Sequence, residues 1–324
     1  MTEPKPAFAN RGVVGCVVAL AAALSAACRT PTAGLTDSPC RVEPWRETGV
    51  SGRHFSTEHF DVYSTLPDTV CEAAIPKLLE SAYQRFTATL SPRREARLTT
   101  YVFGRRSEWS QFTRQRFPYR ADVYERIRQG GFTEGSTSAS FYVSRAQIAA
   151  TLVHEAWHQY AAAQFEEPLP AWLNEGLACY HEAIDLAGDT PRFTPEHNTF
   201  RLAALSEAVR RNALLTIREL VDTNAGDVLA RDDERFTQTY YAQAWALIVF
   251  LRHGAGGRYA ADFDGLMRDV SEGAFRKRAS AAALTERDGG ATTEGSSAFV
   301  AYFDRPPSDL QREYFDHLVR VTKY

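Results

Sequence analysis

Two histidines and a glutamate lie together near the middle of the chain, in the sequence His154-Glu155-Ala-Trp-His158. Residues four apart on a helix share one face, so both imidazoles can reach a single metal ion. Such nitrogen ligands suit zinc, and the glutamate between them is placed to act on a water at the metal. The H-E-x-x-H spacing predicts a hydrolytic metal site, although these five residues alone would also fit a packed helix that carries a histidine pair.

The next segment offers a third ligand. Catalytic zinc takes three protein ligands and keeps one position open. The prolines in residues 166–170 should end the first helix, because proline cannot continue it. A second helix then begins near Ala171 and carries Glu175, after a turn long enough to fold it back. The expected ligands are therefore His154, His158 and Glu175.

The segments HEAWH (154–158) and WLNEGLACYHE (172–182) resemble the gluzincin branch of zinc metallopeptidases. The similarity is to the peptidase MA-like group related to the aminopeptidase catalytic domain, in its DUF1570-like form, and covers about residues 146–251. It implies a zincin-like fold and a peptide or protein substrate. It also implies Zn²⁺ held by His154, His158 and Glu175, with Glu155 as general base.

The resemblance gives roles to two more residues. Glu182 falls where the family carries a carboxylate that supports a ligand histidine, although a solvated helix glutamate is the alternative. Tyr241 begins an apolar helix, 241–251, similar to the family helix whose tyrosine donates to the oxyanion. Tyr240 competes with Tyr241 for that role, but Tyr241 keeps better register with the apolar residues. A core tyrosine at helical spacing is the alternative to this role.

The sequence departs from the aminopeptidases in one respect. The Gly-x-Met-Glu-Asn segment that binds a free amine is absent, and only Glu134, in residues 132–136, stands at a comparable place. Endopeptidase and exopeptidase activity therefore both stay open. The competing class is a non-catalytic envelope binding module on a peptidase-like fold. Glu155 favours the enzyme, because a purely structural zinc site has no use for a base.

The N-terminus is typical of a targeting signal. Lys5 and Arg11 precede an apolar run over residues 13–27, which is short for a membrane span but suits a signal peptide over residues 1–27. The run ends in Leu-Ser-Ala-Ala-Cys28, which resembles a bacterial lipoprotein cleavage box. We expect lipidation at Cys28 and a membrane-anchored protein of the cell envelope. Cleavage after Ala27 without lipid, giving a secreted protein, is the alternative.

Composition and charge set limits on the remaining chain. Of 324 residues, 44% are hydrophobic and 24% charged, which is enough for a sizeable core. A net charge of -3 gives no reason to expect a nucleic-acid partner. The arginines clustered in residues 85–128 are interpreted as a solvated face.

Hydrophobic patterning predicts an α+β fold with a small N-terminal sheet lobe, 46–145, and a mostly helical zinc-site lobe, 146–324, after a tether over 28–45. Residues 59–63 and 98–103 read as strands, and 68–90 as a helix. Residues 140–143 read as an edge strand that could hold an extended peptide.

The second lobe should begin with a helix. Capping-box spacing at Ser144 predicts one that runs to Gln164. An exposed loop is expected over 286–297, and a closing helix over 309–321. In an oxidising compartment Cys40 could pair with Cys71, whereas Cys179 is expected to be an inert packed thiol.

Overall fold

The structure is a computed structural model that describes residues 40–47, 49–165, 168–186, 191–231, 233–285 and 293–323. The predicted signal peptide, Cys28 and the tether as far as residue 39 lie outside the described residues. The end of the expected tether is wrong, because residues 41–45 belong to the first strand, which pairs with the second along its whole length.

A mixed six-stranded sheet forms the N-terminal part of the described chain. Its strands are β1 (Arg41–Glu47), β2 (Val50–Ser56), β3 (Phe60–Ser64), β4 (Leu98–Phe103), β5 (Gly131–Glu134) and β6 (Thr137–Phe141). Their order across the sheet is β1-β2-β3-β4-β6-β5. The pairs β3–β4 and β4–β6 are parallel, and the others antiparallel. The two strands predicted at 59–63 and 98–103 are thus confirmed as β3 and β4.

Helices cover both faces of this sheet. Helix α1 (Thr69–Thr89) connects β3 to β4, and its N-cap Asp68 accepts a hydrogen bond from the Cys71 amide, which confirms the helix predicted over 68–90. Helices α2 (Arg106–Arg116) and α3 (Ala121–Tyr124) follow β4. They enclose a small aromatic core that is separate from the main one.

The edge strand predicted at 140–143 is wrong in place and in kind. Strand β6 spans Thr137–Phe141 and lies between β4 and β5, so the free edge belongs to β5. The cause is the two-residue turn before β6. Gly135 takes φ +61 there, which folds β5 back along β6 with Glu134 opposite Thr137.

The remainder of the chain is helical, as predicted. The two helices expected around the motif are α4 (Arg145–Gln164) and α5 (Ala171–His181). A short hairpin follows, made of β7 (Ile184–Asp185) and β8 (Arg192–Phe193). The later helices are α6 (Thr199–Arg210), α7 (Ile217–Asp222), α8 (Ala225–Ala230), α9 (Glu234–His253), α10 (Ala260–Glu272), α11 (Phe275–Thr285), α12 (Glu294–Phe303) and α13 (Pro307–Val321). The α+β fold class is confirmed.

The C-terminal predictions have a mixed outcome. The closing helix is confirmed as α13. The loop expected over 286–297 is wrong at its end, because Thr293 caps α12 and accepts a hydrogen bond from the Ser296 amide. The apolar run that follows, including the fully buried Phe299, draws this segment into the core. Residues 286–292 lie outside the described part.

Two further points concern the cysteines and the membrane. Cys40 and Cys71 are free thiols packed half-buried against the main core, so the suggested disulfide is absent. Burial raises the pKa of Cys71 to about 11, which keeps it a thiol. Across the described ranges, no helix combines the length and apolarity that crossing a bilayer requires.

Candidate metal centre

Helix α4 carries the two histidines into the core. Ser144 caps it by accepting a hydrogen bond from the Gln147 amide, and the helix ends where Phe165 turns extended. His154 and His158 are almost fully buried, and their ring centroids lie 4.9 Å apart. Neither nitrogen of His158 has hydrogen-bond geometry to a described residue, although Nε2 lies 3.3 Å from Glu175 Oε2. A buried imidazole left in this state is expected where a ligand completes it.

Helix α5 brings Glu175 to the same point. The next residue, Gly176, lies where α5 approaches α9 closely. A Cβ at this position would lie 2.7 Å from the Ala244 carbonyl oxygen, so the close approach requires glycine. Glu175 is fully buried, and its Oε2 lies 3.4 Å from His154 Nε2 and 3.3 Å from His158 Nε2. The three predicted ligands therefore converge, with ligand atoms all within 4.8 Å of one another.

The charge of Glu175 suits a cation at this point. Burial alone would raise the pKa of its carboxyl, but the neighbouring His158 and His154 outweigh that effect and hold the pKa well below its usual range. The group is thus an anion inside the core, where an uncompensated charge is costly. Two imidazoles and one carboxylate around one point form a group that could hold a metal ion.

Glu182 supports His154 from behind. It follows the last residue of α5 and is buried, so the alternative of a solvated helix glutamate is wrong. Its Oε2 accepts a hydrogen bond of 2.7 Å from His154 Nδ1. That bond places a proton on Nδ1, so Nε2, which lies 3.4 Å from Glu175 Oε2, is the nitrogen that a metal would take. The histidine is therefore oriented and held in the tautomer that a metal requires.

Two residues that the sequence analysis missed hold Glu182 in turn. The Arg201 guanidinium donates to it twice, from Nε to Oε1 at 2.6 Å and from its terminal nitrogen to Oε2 at 2.9 Å. Asn198, the N-cap of α6, donates to Oε1 at 2.9 Å. Burial alone would raise the pKa of Glu182, but the Arg201 charge and the bond from His154 lower it to about 2. The carboxylate stays ionised at every physiological pH.

A second group of possible ligands lies beside the first. It consists of His154, Cys179 and Glu182. Burial raises the pKa of the Cys179 thiol, and the nearby Arg201 cation already balances Glu182. A second cation here would have to displace the His154–Glu182 bond and lie next to a guanidinium. Cys179 is better explained as the inert packed thiol that the sequence predicts.

Glu155 faces the sheet side of α4. It is fully buried, and its Oε2 accepts a 2.8 Å hydrogen bond from the Thr133 hydroxyl on β5. Its Oε1 has no hydrogen-bond partner among the described residues. Burial raises the pKa of Glu155 to about 7, against the opposing effects of the two histidines and Thr133. This carboxyl can gain or lose a proton near neutral pH, and Thr133 is a third residue that the sequence analysis missed.

The two candidate tyrosines on α9 point to different neighbours. The Tyr241 ring meets His154 edge-on, with centroids 6.2 Å apart, and the Arg201 guanidinium carbon lies 5.4 Å from its centroid. The Tyr240 hydroxyl instead donates to the Thr223 carbonyl at 3.3 Å. Of the two, Tyr241 is the one that the fold brings to the candidate metal ligand His154.

Comparison with known proteins gives one match. Residues 148–261, about a third of the chain, match a family described as "Protein of unknown function (DUF1570)". That span contains every residue of the site except Thr133 on β5. No curated protein and no solved structure matches the chain.

Proposed function

We propose that the protein is a zinc-dependent metallopeptidase of the gluzincin type, which hydrolyses bonds in a peptide or protein substrate. The observation that carries the proposal is the spacing of the ligand atoms. Zinc bonds of about 2.0–2.1 Å in a tetrahedron place neighbouring ligand atoms about 3.3–3.4 Å apart. The Glu175 carboxylate oxygen lies 3.4 and 3.3 Å from the two histidine nitrogens.

The types of ligand favour zinc over other common ions. Calcium and magnesium take mainly oxygen ligands, whereas two imidazoles and one carboxylate are a frequent set for catalytic zinc. His158, whose nitrogens lack a hydrogen-bond partner in the described chain, fits as a ligand. His154, oriented by Glu182, fits as well. When bound, the ion would lower the pKa of a water and polarise a carbonyl group.

The chain's own residues supply the proton transfer. A general base works best when its pKa lies near the operating pH, and burial raises the pKa of Glu155 to about 7. Glu155 would accept the proton of the attacking water and pass it to the leaving amine. Tyr241 would donate a hydrogen bond to the oxyanion, since it is the α9 tyrosine beside His154.

A substrate strand has a place beside the base. Strand β5 is the last in the described sheet, and an extended peptide could pair with its outer backbone groups once the segments that bury Phe132 and Thr133 move aside. Thr133 of this strand contacts Glu155. An added peptide strand would therefore run next to the general base, at β5 rather than at the strand that the sequence suggested.

The second candidate function is that of a non-catalytic envelope module with a structural metal. Nearly complete burial of His154, His158 and Glu175 favours it. Glu155 favours the enzyme. Its pKa is raised and its Oε1 has no hydrogen-bond partner in the described chain, and a structural metal site has no use for such a base. The two candidates differ in one outcome: zinc with peptide cleavage, or zinc without it.

The test is hydrolysis of a diverse peptide library by the full chain. Removal of metal should abolish cleavage and added zinc should restore it. Glu155→Gln should lower the rate by about 10²- to 10⁴-fold, with zinc content unchanged. Glu207→Gln, at an exposed site on α6, is the matched control and should cleave normally. Cleavage by the Glu155 variant at the wild-type rate would contradict the assignment.

We also propose that the protein is exported and anchored by lipid at Cys28, on the basis of the N-terminal sequence. Labelled palmitate should be incorporated into the wild type and not into Cys28→Ser. Recovery of the wild type without lipid from the soluble secreted fraction would replace the anchor with ordinary secretion.

A further inference from the structure

A pocket lies away from the candidate metal ligands, between α1, α5, the end of α9 and the β7–β8 hairpin. Its volume is about 970 Å³, within the range that holds small organic ligands. None of the metal-site residues lines it. Three arginines do, Arg85, Arg192 and Arg252, and Asp185 is the one carboxylate among the described lining residues.

Only one of the three arginines has its charge balanced. Arg192 pairs with Asp185 at 2.5 Å. Neither Arg85 nor Arg252 forms an ion pair with any carboxylate that the structure describes. Among the described residues, the pocket therefore keeps about two positive charges that no carboxylate pairs with, and a cleft lined by one sign of charge attracts the opposite one.

Aromatic rings hold these two guanidinium groups in place. The guanidinium carbon of Arg85 lies 5.1 Å from the Phe193 ring centroid, and that of Arg252 lies 5.4 Å from the Tyr180 ring centroid. Stacking of this kind fixes a guanidinium while its N–H groups stay free to bond at the edge. Arg85 lines the pocket, and its buried Nε has no hydrogen-bond partner in the described chain, so this guanidinium has donor capacity that no described residue uses.

The two cations act on the same part of α5. After burial, which is the main cause, the charges of Arg85 and Arg252 both lower the pKa of His181. Both also oppose the rise that burial and the charge of Glu196 give to the pKa of Tyr180, a pocket residue. One small anion near Tyr180 would therefore lie in the field of both guanidinium groups.

We propose that this pocket binds an anionic group, a carboxylate or a phosphate, through Arg85 and Arg252. Arginine is suited to both because its planar fork bonds two oxygens at once. The volume exceeds what a single ion fills, so the natural ligand is an organic molecule or chain segment that bears such a group. The site is separate from the proposed zinc site and does not depend on hydrolysis.

The test is direct titration of the full chain with inorganic phosphate and, separately, with acetate. Ionic strength is held constant with chloride, because exposed charges are screened by salt. We expect saturable binding of at least one anion by calorimetry, together with a rise in Tm. Arg85→Gln and Arg252→Gln should each weaken that binding by about 10- to 100-fold, the usual effect of losing a charged hydrogen bond.

Controls separate this pocket from other anion sites. Arg210→Gln, at an exposed arginine on α6, should bind like the wild type. The pocket substitutions leave the metal ligands intact, so anion binding at zinc would survive them. Binding of phosphate alone identifies a phosphate ligand, and binding of acetate alone a carboxylate. The proposal is overturned if neither anion binds the wild type saturably, or if both pocket variants, shown to be folded, keep wild-type affinity.

Discussion

Glu182, bonded to the helical residue Arg201, and Glu155, bonded to Thr133 of the sheet, are both buried beside the candidate metal ligands, and their pKa values shift in opposite directions. On the helical side the Arg201 cation outweighs burial and lowers the pKa of Glu182 to about 2. On the sheet side burial prevails over the two histidines and the neutral Thr133 hydroxyl and raises the pKa of Glu155 to about 7. Partner charge, and not burial, decides what each carboxyl can do: one is a permanent anion that orients a ligand, and the other can exchange a proton.

The largest effect should come from removing the cation on the helical side. Arg201→Met leaves Glu182 buried without its charged partner, which should lower the free energy of unfolding by about 3–5 kcal/mol. Urea unfolding of metal-free protein measures this. The double variant with Glu182→Gln should recover part of the loss, because no carboxylate then lacks its counterion. A single variant as stable as the wild type would contradict the role given to Arg201.

The next largest effect is expected at Tyr241. Tyr241→Phe removes a hydroxyl and little volume, so kcat should fall by about 10²- to 10³-fold. KM should change much less, since the bond is strongest in the transition state. Steady-state kinetics at full zinc occupancy give both values.

Tyr240→Phe is the matched control and should leave kcat nearly unchanged, because its hydroxyl bonds the Thr223 carbonyl. If Tyr240→Phe lowers kcat and Tyr241→Phe does not, the tyrosine that donates to the oxyanion is Tyr240. If neither matters in an active enzyme, oxyanion stabilisation by this helix is wrong.

In metal-free protein, Glu155 and Glu182 should make the free energy of unfolding depend on pH in opposite directions. Glu155 has a folded pKa above its unfolded value, so its contribution is lost as pH rises from about 4.5 to 7. Glu182 has a folded pKa below it, so its contribution is lost as pH falls from about 4.5 to 2. Each span of about 2.5 pH units corresponds to about 3 kcal/mol.

Unfolding free energies of Glu155→Gln and Glu182→Gln across pH, each relative to the wild type, test this difference. The Glu155 variant should gain on the wild type as pH rises from about 4.5 to about 7 and keep that gain above it. The Glu182 variant should lose its disadvantage as pH falls from about 4.5 to about 2. The same trend in both variants would remove the contrast between the two sides.

The smallest effect concerns Thr133. Its hydroxyl lowers the pKa of Glu155, so Thr133→Val should raise that pKa further. A base must be deprotonated, so the acidic limb of kcat/KM should move to higher pH by up to about one unit. Ser138→Ala is the control, since Ser138 lies opposite Thr133 but bonds Gln159. An unmoved limb in the Thr133 variant would show that this hydroxyl does not tune the base.

Local patterns explain what the sequence predicted well. His154 and His158 lie one helical turn apart, so they share a face of α4 by helix geometry alone. Pro168 and Pro170 separate α4 from α5 without any contact from distant segments. Asp68 and Ser144 cap helices through amides three residues away. Each of these features depends on neighbours within a few residues, so the ligand set could be proposed from the sequence alone.

What the sequence did not predict depends on contacts between distant segments. Arg201 lies 19 residues beyond Glu182, on a helix whose packing sets the contact, and Thr133 lies 22 residues before Glu155. The edge position of β5 depends on which strands pair, and an edge strand can have the same residue pattern as an inner one. Asn198 is a typical N-cap residue, so the sequence indicates that α6 starts there. The sequence does not indicate that Asn198 also bonds Glu182.

The most direct test of the proposed zinc site is the metal content of four purified proteins: wild type, His158→Ala, Glu175→Gln and Glu155→Gln. Three ligands around one point predict about one zinc per chain in the wild type and in Glu155→Gln, because Glu155 is not a ligand. His158→Ala should lose most of the zinc, and Glu175→Gln should bind it much more weakly. Full zinc occupancy in His158→Ala, or no zinc in the wild type after zinc loading, would contradict the assigned site.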